Sequence, residues 1–537
     1  MENQRLFLFI ALAGVLFFIV QAWQQDHRPP PPPATRAIPV APSSPGVAGS
    51  PPPATTHATA LKAGETVTVT TDVLRVRLNT RGADLHQVVL RRYLRKVGSR
   101  THYRLFDARH RPLFFTQSGL IGNGHYPTHN SSYVVHHTNY RFSPGQQTLK
   151  VRFYWTGKDG IRVVKTYTFH RTSYIIGLAY HIMNGGATSR DLYLYAQFLR
   201  TPPPKPGRLH SAPIYLGGAL YTPGTKYRKV TFSDMAHRNL DTRATSGWVA
   251  MSQHYFVGAW VPSHGPVQFY SKHLSRNRYI LGYKSTEPLA LAPGAHGVLR
   301  ARLFAGPKKP SLLSKVAPGL GLTVDYGWLT VLAVPLYWVL AHIEHWVGNW
   351  GWAIVLLTVG IKLVFFPLSA ASYRSMAKMR RLQPRLEAIK ERHGNDRQQV
   401  QQAMIELYRT EKLNPLGGCL PMVVQIPVFI ALYWVLLESV DLRQAPFVLW
   451  IHDLSAPDPY FVLPILMGLT MAGQQLLNPT LNMDPLQRKI MLVLPIVFTV
   501  FFLFFPAGLV LYWVVSNLLS ILQQWWITRL EAASARA

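Results

Sequence analysis

The chain has 537 residues, carries 56 Lys and Arg against 24 Asp and Glu for a formal charge of +32, and is nevertheless 48% hydrophobic. That pairing fits an ordinary soluble enzyme poorly and excludes intrinsic disorder for most of the chain, while about 100 to 200 residues per domain allows two to four domains. One cysteine, Cys419, excludes an intramolecular disulfide framework and a Cys-rich zinc module.

In chain order, Leu6 to Trp23 is an apolar run preceded by Arg5, which predicts an N-terminal transmembrane anchor over 1–26. Val20-Gln21-Ala22 would also serve as a signal-peptidase site, so a cleaved signal and a retained anchor are both open. Residues 27–60, with Pro29 to Pro33 and Pro51 to Pro53, cannot bury a core and are expected to be an extended Pro-rich linker.

From about Thr66 the period changes to two, as in Val73 to Leu78, Leu149 to Trp155, Ile161 to Phe169, Tyr174 to Ile182, Trp248 to Val261 and Val298 to Phe304. Alternation in short runs, broken by Gly, Pro and Asn without helical patterns between, predicts antiparallel sheets packed face to face over 61–325. This segment holds 37 Lys/Arg and 10 Asp/Glu, nearly all of the excess charge. Basic residues recur singly along strands, as in Arg75, Arg77, Arg300 and Arg302, with no helix-turn-helix, zinc or RNP pattern, so specific nucleic-acid binding is not expected. Scarce carboxylates suggest a surface whose charge stays nearly constant in an acidic compartment.

Beyond Pro318 apolar density rises. Residues 326–348 mix Trp, Tyr, His and Glu344 among apolar positions, which suits an amphipathic helix lying in the headgroup plane. Transmembrane helices are expected at 349–370, 419–437 and 460–478, each near the roughly 20 residues that cross a hydrocarbon core. The apolar stretch 491–527 would extend about 55 Å as one helix, so it must turn at Pro506-Ala507-Gly508 into spans 491–505 and 508–527, leaving a short tail at 528–537.

Lys and Arg in short loops set orientation. Residues 371–418 are strongly basic and are expected to be cytoplasmic, whereas 438–459 holds only Arg443 beside four acids and is expected to lie outside. Both termini then lie in the cytoplasm and the large β-domain outside. Within 371–418, Met376, Met379, Leu382, Leu386 and Ile389 form one apolar seam and Val400, Met404 and Leu407 another, which predicts an antiparallel helical hairpin. Its flank, with Arg374, Lys378, Arg380, Arg381 and Arg385, is a candidate docking surface, although charged helix faces are usually only solvated.

No P-loop, H-E-x-x-H or G-x-S-x-G pattern occurs, so no enzyme activity, metal or cofactor is expected. Lys362 is the sole formal charge between Trp350 and Ser369, about 10 Å inside the cytoplasmic end of that span. An intramembrane cation marks a water-accessible cavity by default, while a long side chain snorkelling to the headgroups is the plainer alternative. Thr358, Gln425, Gln474, Gln475, Ser516 and Asn517 put further polar groups into the spans; each alone suits helix–helix hydrogen bonding, and together with Lys362 they could line a polar groove.

Asn349-Trp350-Gly351, Met376 to Arg380, Leu413 to Cys419, Gln444 to Phe447 with Asp453-Leu454-Ser455, Asp458-Pro459-Tyr460 and Phe505 to Trp513 resemble the YidC/Oxa/Albino family of membrane protein insertases, over about Trp328 to Trp526. Segment 1–325 is similar to the Gram-negative members in layout, with an uncleaved anchor, a linker and a periplasmic β-supersandwich. The resemblance implies a polytopic α-helical protein of the inner membrane, with a five-helix core plus the anchor helix. It also implies a hydrophilic groove open to cytoplasm and lipid, with Lys362 where the family usually has arginine and with Gln425, Gln475, Tyr512 and Trp513 facing the groove or the exit. The tail after Trp526 lacks the basic extension that docks ribosomes in some relatives.

The expected activity is insertion and folding of newly made membrane proteins, alone or with the Sec translocon and its accessory subunits, with nascent chains, lipid and the ribosome as further partners. A secondary transporter for a small anion, with Lys362 as counter-charge, is the alternative from another class. A sugar- or peptide-binding β-sandwich on a membrane anchor is a third, disfavoured by the five polar-lined spans.

Overall fold

The computed structural model describes residues 64–204, 214–263, 265–394, 396–411, 420–477 and 485–534. The expected anchor at 1–26, the linker at 27–60 and the Leu413 to Cys419 string lie outside the described residues.

The N-terminal half is a sandwich of two large sheets. The eleven-stranded sheet runs from Asp241–Ala244 through Val267–Leu274, Arg278–Ser285, Arg190–Arg200, Phe114–Gly122, His102–Asp107, Asp84–Leu94, Leu74–Asn79 and Thr66–Thr70 to Asn139–Arg141, with Leu289–Leu291 pairing Arg190–Arg200 off this path. The eight-stranded sheet runs from Lys226–Val230 to Thr148–Thr156. The period-two pattern is the cause: along Leu74–Asn79 the residues Leu74, Val76 and Leu78 are buried while Arg75 and Arg77 are exposed. Pairing is antiparallel except between Thr66–Thr70 and Asn139–Arg141, which run parallel.

Aromatic rings fill the space between the sheets. Phe198 and Trp260 face each other at 6.1 Å between centroids, and Phe106 meets Phe114 at 4.6 Å. A Cβ on Gly258 would stand 2.8 Å from Phe106, so a bare backbone is what lets the ring close on the opposite sheet. A buried ion pair also crosses the core. Lys165 Nζ lies 2.9 Å from Asp84 Oδ1 and 2.7 Å from the Gly82 carbonyl, with the rings of Tyr133, Tyr167 and Tyr180 within 5.8 Å. Burial pushes the Asp84 carboxyl up to about 6 despite that partner.

The apolar run Trp248 to Val261, read above as one stretch, is two strands, Trp248–Ser252 and Phe256–Pro262, folded back at Gln253-His254-Tyr255. Both strands are buried almost throughout, so the period of two expected there is absent and could give no sign of the reversal.

Helices α1 (Phe232–His237) and α2 (Pro310–Val316) decorate the sandwich, and α3 (Thr330–Val347) follows it. Then come α4 (Trp350–Val364), α5 (Phe366–Arg381), α6 (Gln383–His393), α7 (Arg397–Thr410), α8 (Leu420–Glu438), α9 (Val462–Leu477), α10 (Pro485–Phe502) and α11 (Ala507–Ser534). Among the described residues, Gly327–Val347 and Ala507–Glu531 are long and apolar enough to cross a membrane, and Val423–Glu438, Val462–Leu477 and Met491–Phe502 are shorter apolar helices.

The span expected over 349–370 is not one straight helix. It breaks at Phe365, and α5 leaves α4 at 64°. Pro367 explains the break, since its ring displaces the carbonyl four residues back and it lacks the N–H that would continue the ladder. Lys362 therefore sits in the last turn of α4 instead of two turns above a helix end. The hairpin α6–α7 turns at Gly394, at φ +52°, and restarts at Asp396, whose carboxylate accepts from the Gln398 and Gln399 N–H groups. Leu382 and Leu386 of its first seam are buried. Helix α10 begins before the expected boundary and α11 runs past it. The corner between them is pinned to loop 439–461, because Ala507 N–H donates to Ala456 O at 2.8 Å and Gly508 N–H to Leu454 O at 2.9 Å.

Candidate functional site

Helix α4 buries Gly351, Ile354, Leu357, Thr358, Ile361 and Lys362, a stripe at helical spacing that turns polar toward its C-terminal end. The stripe faces α11, where Tyr512, Ser516 and Ser520 recur every four residues on one face. Across both lies α8 with Gln425.

These three helices bring together one hydrogen-bonded cluster. Lys362 Nζ donates to Ser520 Oγ at 2.7 Å and to Gln425 Oε1 at 3.3 Å. Gln425 Nε2 donates to Ser516 Oγ at 3.0 Å, and Ser520 Oγ donates in turn to Ser516 O at 2.8 Å. Lys362 is only 8% exposed, so its ammonium points into the bundle instead of snorkelling along the helix surface. Its hydrogen-bond partners are a hydroxyl and an amide, and among the described residues no carboxylate pairs with it. A buried charge held only by neutral dipoles keeps a large unspent attraction for an anion.

The other expected site residues divide. Thr358 is buried one turn above Lys362 but bonds its own helix at Ile354 O, 2.6 Å away. Tyr512 is buried, stacks on Phe429 at 6.0 Å and neighbours Gln425 and Ser516. Asn517 turns away to α9 and donates to Thr470 Oγ1 at 3.3 Å. Gln475 is half-buried on α9, and among the described residues no hydrogen bond joins it to the Lys362 cluster. Trp513 packs in an aromatic group with Phe429, Phe498 and Phe502 between α8, α10 and α11.

Ser520, the nearest partner of Lys362, went unread in the sequence. The signal was there: Ser520 is one turn beyond Ser516 on the same helical face.

On the hairpin flank, Arg374 pairs with Glu531 at 3.3 Å and Arg385 with Glu411 at 2.7 Å, so these two cations serve the fold's own contacts. Lys378 is exposed, and the side chains of Arg380 and Arg381 lie outside the described residues.

The β-sandwich and the helices meet at the end of α8 and the loop after it. Lys308 Nζ lies 2.8 Å from Glu438 Oε2, His254 Nε2 is 2.9 Å from Leu437 O, and Arg443 Nη2 donates to Leu94 O at 2.6 Å. Burial, helped by Lys308, holds His254 down at about 3.

Residues 66–339 match the family described as the YidC periplasmic domain, and 342–534 match the 60Kd inner membrane protein family. Among curated relatives, proteins called membrane protein insertase YidC from Methylobacillus flagellatus and Nitrosococcus oceani are each 50% identical. The first alignment covers 100% of this chain and 99% of the relative, the second 98% and 99%. A solved structure described as an active YidC insertase with the first transmembrane domain resolved is 18% identical, covers 86% of this chain and 94% of its own, and superposes with a TM-score of 0.39.

Proposed function

The chain belongs to the YidC family of membrane protein insertases, and from that premise we propose that the Lys362 cluster is where it receives the hydrophilic end of a client. It is an inner-membrane protein with a periplasmic β-sandwich, and its clients are newly made membrane proteins.

The observation that carries the proposal is the buried ammonium of Lys362 with, among the described residues, only Ser520 and Gln425 as partners. A client's short acidic segment, arriving from the cytoplasmic side near the α6–α7 hairpin, exchanges those neutral partners for its own carboxylate. Lysine attracts it as a point charge, without the bidentate grip an arginine would add. The halfway state, a carboxylate inside the bilayer, is thereby made less costly. The membrane potential then favours outward movement of each acidic residue by ~2.3 kcal/mol per 100 mV. The client's apolar segment leaves past Tyr512 and Trp513 into lipid, where burial contributes about 25 cal/mol per Å².

The reading takes α4, α8, α9, α10 and α11 as the five spans, with both termini and the hairpin cytoplasmic. Helix α3 is read as interfacial although it is long enough to span. Three contacts support this. Near its start Gly327 faces Trp434 at the end of α8, in its middle Tyr337 bonds Asp441 at 2.8 Å, and just past its end Asn349 donates to Phe447 O at 3.2 Å. A helix whose start, middle and end all meet one end of the bundle runs across the bilayer face. Association with the Sec translocon and the ribosome belongs to the same proposal, with Lys378 as an exposed cation on the hairpin flank.

Reconstitution of the purified chain in liposomes with a one-span client tests the mechanism. Lys362→Ala is expected to slow insertion of an acidic-tailed client more than that of a neutral-tailed one. Equal effects on both would overturn the charge-attraction step.

A further inference from the structure

The β-hairpin formed by Asp84–Leu94 and His102–Asp107 is unlike the rest of its domain. Between Asp84 and Asp107 there is no acidic residue, and six of the fourteen residues from Arg91 to Arg104 are Lys or Arg, against 37 of the 265 across 61–325. The tip residues Arg95, Lys96 and Arg100 are exposed, and Val97 between them stands 47% exposed. Such a composition, cations around an apolar point, differs from the alternating solvated pattern of the other strands.

The tip is also fixed in place. Arg443 donates to the carbonyls of Leu94 and Arg95 at 2.6 and 3.1 Å, and Gln444 donates to Leu94 O at 3.0 Å. A cleft of about 350 Å³ opens between hairpin and loop, lined by Arg92, Tyr93, Val97, Lys309, Arg443 and Gln444. Its one carboxylate, Asp441, is engaged by Lys309 and by Tyr337 of α3. The cleft is therefore net cationic and continuous with the helix read above as lying on the membrane, whose Trp338 and Trp346 are 60% and 84% exposed.

We propose that this hairpin and cleft bind the headgroup of an anionic phospholipid in the periplasmic leaflet. Arg92, Lys309 and Arg443 surround the phosphate, the tip cations meet neighbouring headgroups, and Val97 enters the acyl boundary. Lipid is favoured over an acidic peptide because Asp441 of the cleft is bonded to Tyr337 of α3, the helix that carries the exposed Trp338 and Trp346, and such aromatic rings settle at headgroup level. The inference rests on loop 439–461 being the membrane-proximal periplasmic end, and it is independent of what Lys362 does.

The test uses the full chain in nanodiscs of equal phosphatidylglycerol and phosphatidylcholine, with retained lipid counted by native mass spectrometry after release. The wild type is expected to retain phosphatidylglycerol over phosphatidylcholine by at least about fivefold. Arg92→Gln/Lys96→Gln/Arg100→Gln should reduce that preference to under about twofold. Lys150→Gln/Arg152→Gln/Arg162→Gln, which removes equal charge from exposed positions on the smaller sheet, should leave it unchanged. No preference in the wild type, or an equal fall in both variants, would overturn the site. Displacement of the retained lipid by a soluble acidic peptide would overturn the choice of lipid, and its persistence would support it.

Discussion

Lys308 Nζ and Glu438 Oε2 lie 2.8 Å apart, with their side chains 2% and 1% exposed, and they join the end of the last long strand of the sandwich to the end of α8. Taking one partner away leaves the other charge buried without compensation, at a cost of about 3–5 kcal/mol. Glu438→Ala is therefore expected to lower the melting temperature of the detergent-solubilised chain, followed by far-ultraviolet ellipticity. Lys308→Met/Glu438→Leu should recover most of the loss, and a double variant as unstable as the single one would refute this account.

Acid should destabilise the periplasmic domain. Burial, with Lys165 nearby, holds His129 down at about 4, and His254 is held at about 3, both from an ordinary 6.5. The unfolded chain thus takes up these protons first, and stability fully present above pH 6.5 is lost as pH falls toward 4 and below. Asp84 acts oppositely, raised from 3.8 to about 6, so its contribution is complete below the lower value and lost as pH rises through the upper one. His86 is likewise held down at about 4 by burial, so three lowered histidines outweigh one raised carboxyl, and the melting temperature should be lower at pH 4 than at pH 7. His129→Gln should shrink the difference and Asp84→Asn enlarge it. A sparse carboxylate count suggested acid tolerance; the buried histidines are what composition alone could not weigh.

Ser520 should matter to insertion more than its small size suggests. Its hydroxyl makes the shorter of the two hydrogen bonds to Lys362 Nζ, at 2.7 Å. A hydrogen bond to a charged group contributes about 1.5–3 kcal/mol. Ser520→Ala is expected to leave the ammonium on Gln425 alone, so that a client's carboxylate has one hydrogen bond fewer to displace, and to speed acidic-client insertion, the direction opposite to Lys362→Ala. Insertion kinetics of acidic- and neutral-tailed clients in liposomes check this, and no change with Ser520→Ala would remove the serine from the cluster's function.

Asp458 is expected to be a stability hot spot with no direct part in client contact. It is 1% exposed, accepts from Trp450 Nε1 and Tyr460 N–H at 3.0 Å, and caps the start of α9 through Leu463 N–H at 2.7 Å. Asp458→Ala strands three donors at once, and about 2–4 kcal/mol of stability should be lost. Thermal unfolding measures it, and Asp458→Asn should fall between alanine and wild type.

Legibility in the sequence followed the strength of the local pattern. The sandwich was readable because strands such as Leu74–Asn79 alternate cleanly. The reversal at His254 was hidden because the strands on either side, buried on both faces, have no alternation to interrupt. The bend after α4 was written in Pro367 and was overridden by the continuous hydropathy of 350–369. Trp513 was expected at the groove or exit from a resemblance, whereas its ring direction depends on Phe429 of α8 and on Phe498 and Phe502 of α10, two stretches of chain distant from its own.

Sequence by itself determined the family, the two-part architecture and the single cation in an apolar helix, since hydropathy, period and charge are properties of neighbouring residues. Tertiary structure alone decided that Lys362 meets Ser520, 158 residues away, and that Lys308 meets Glu438, 130 residues away. Those pairings depend on helix rotation and on where a loop is pinned. Both are fixed by packing among distant segments, which no local pattern encodes.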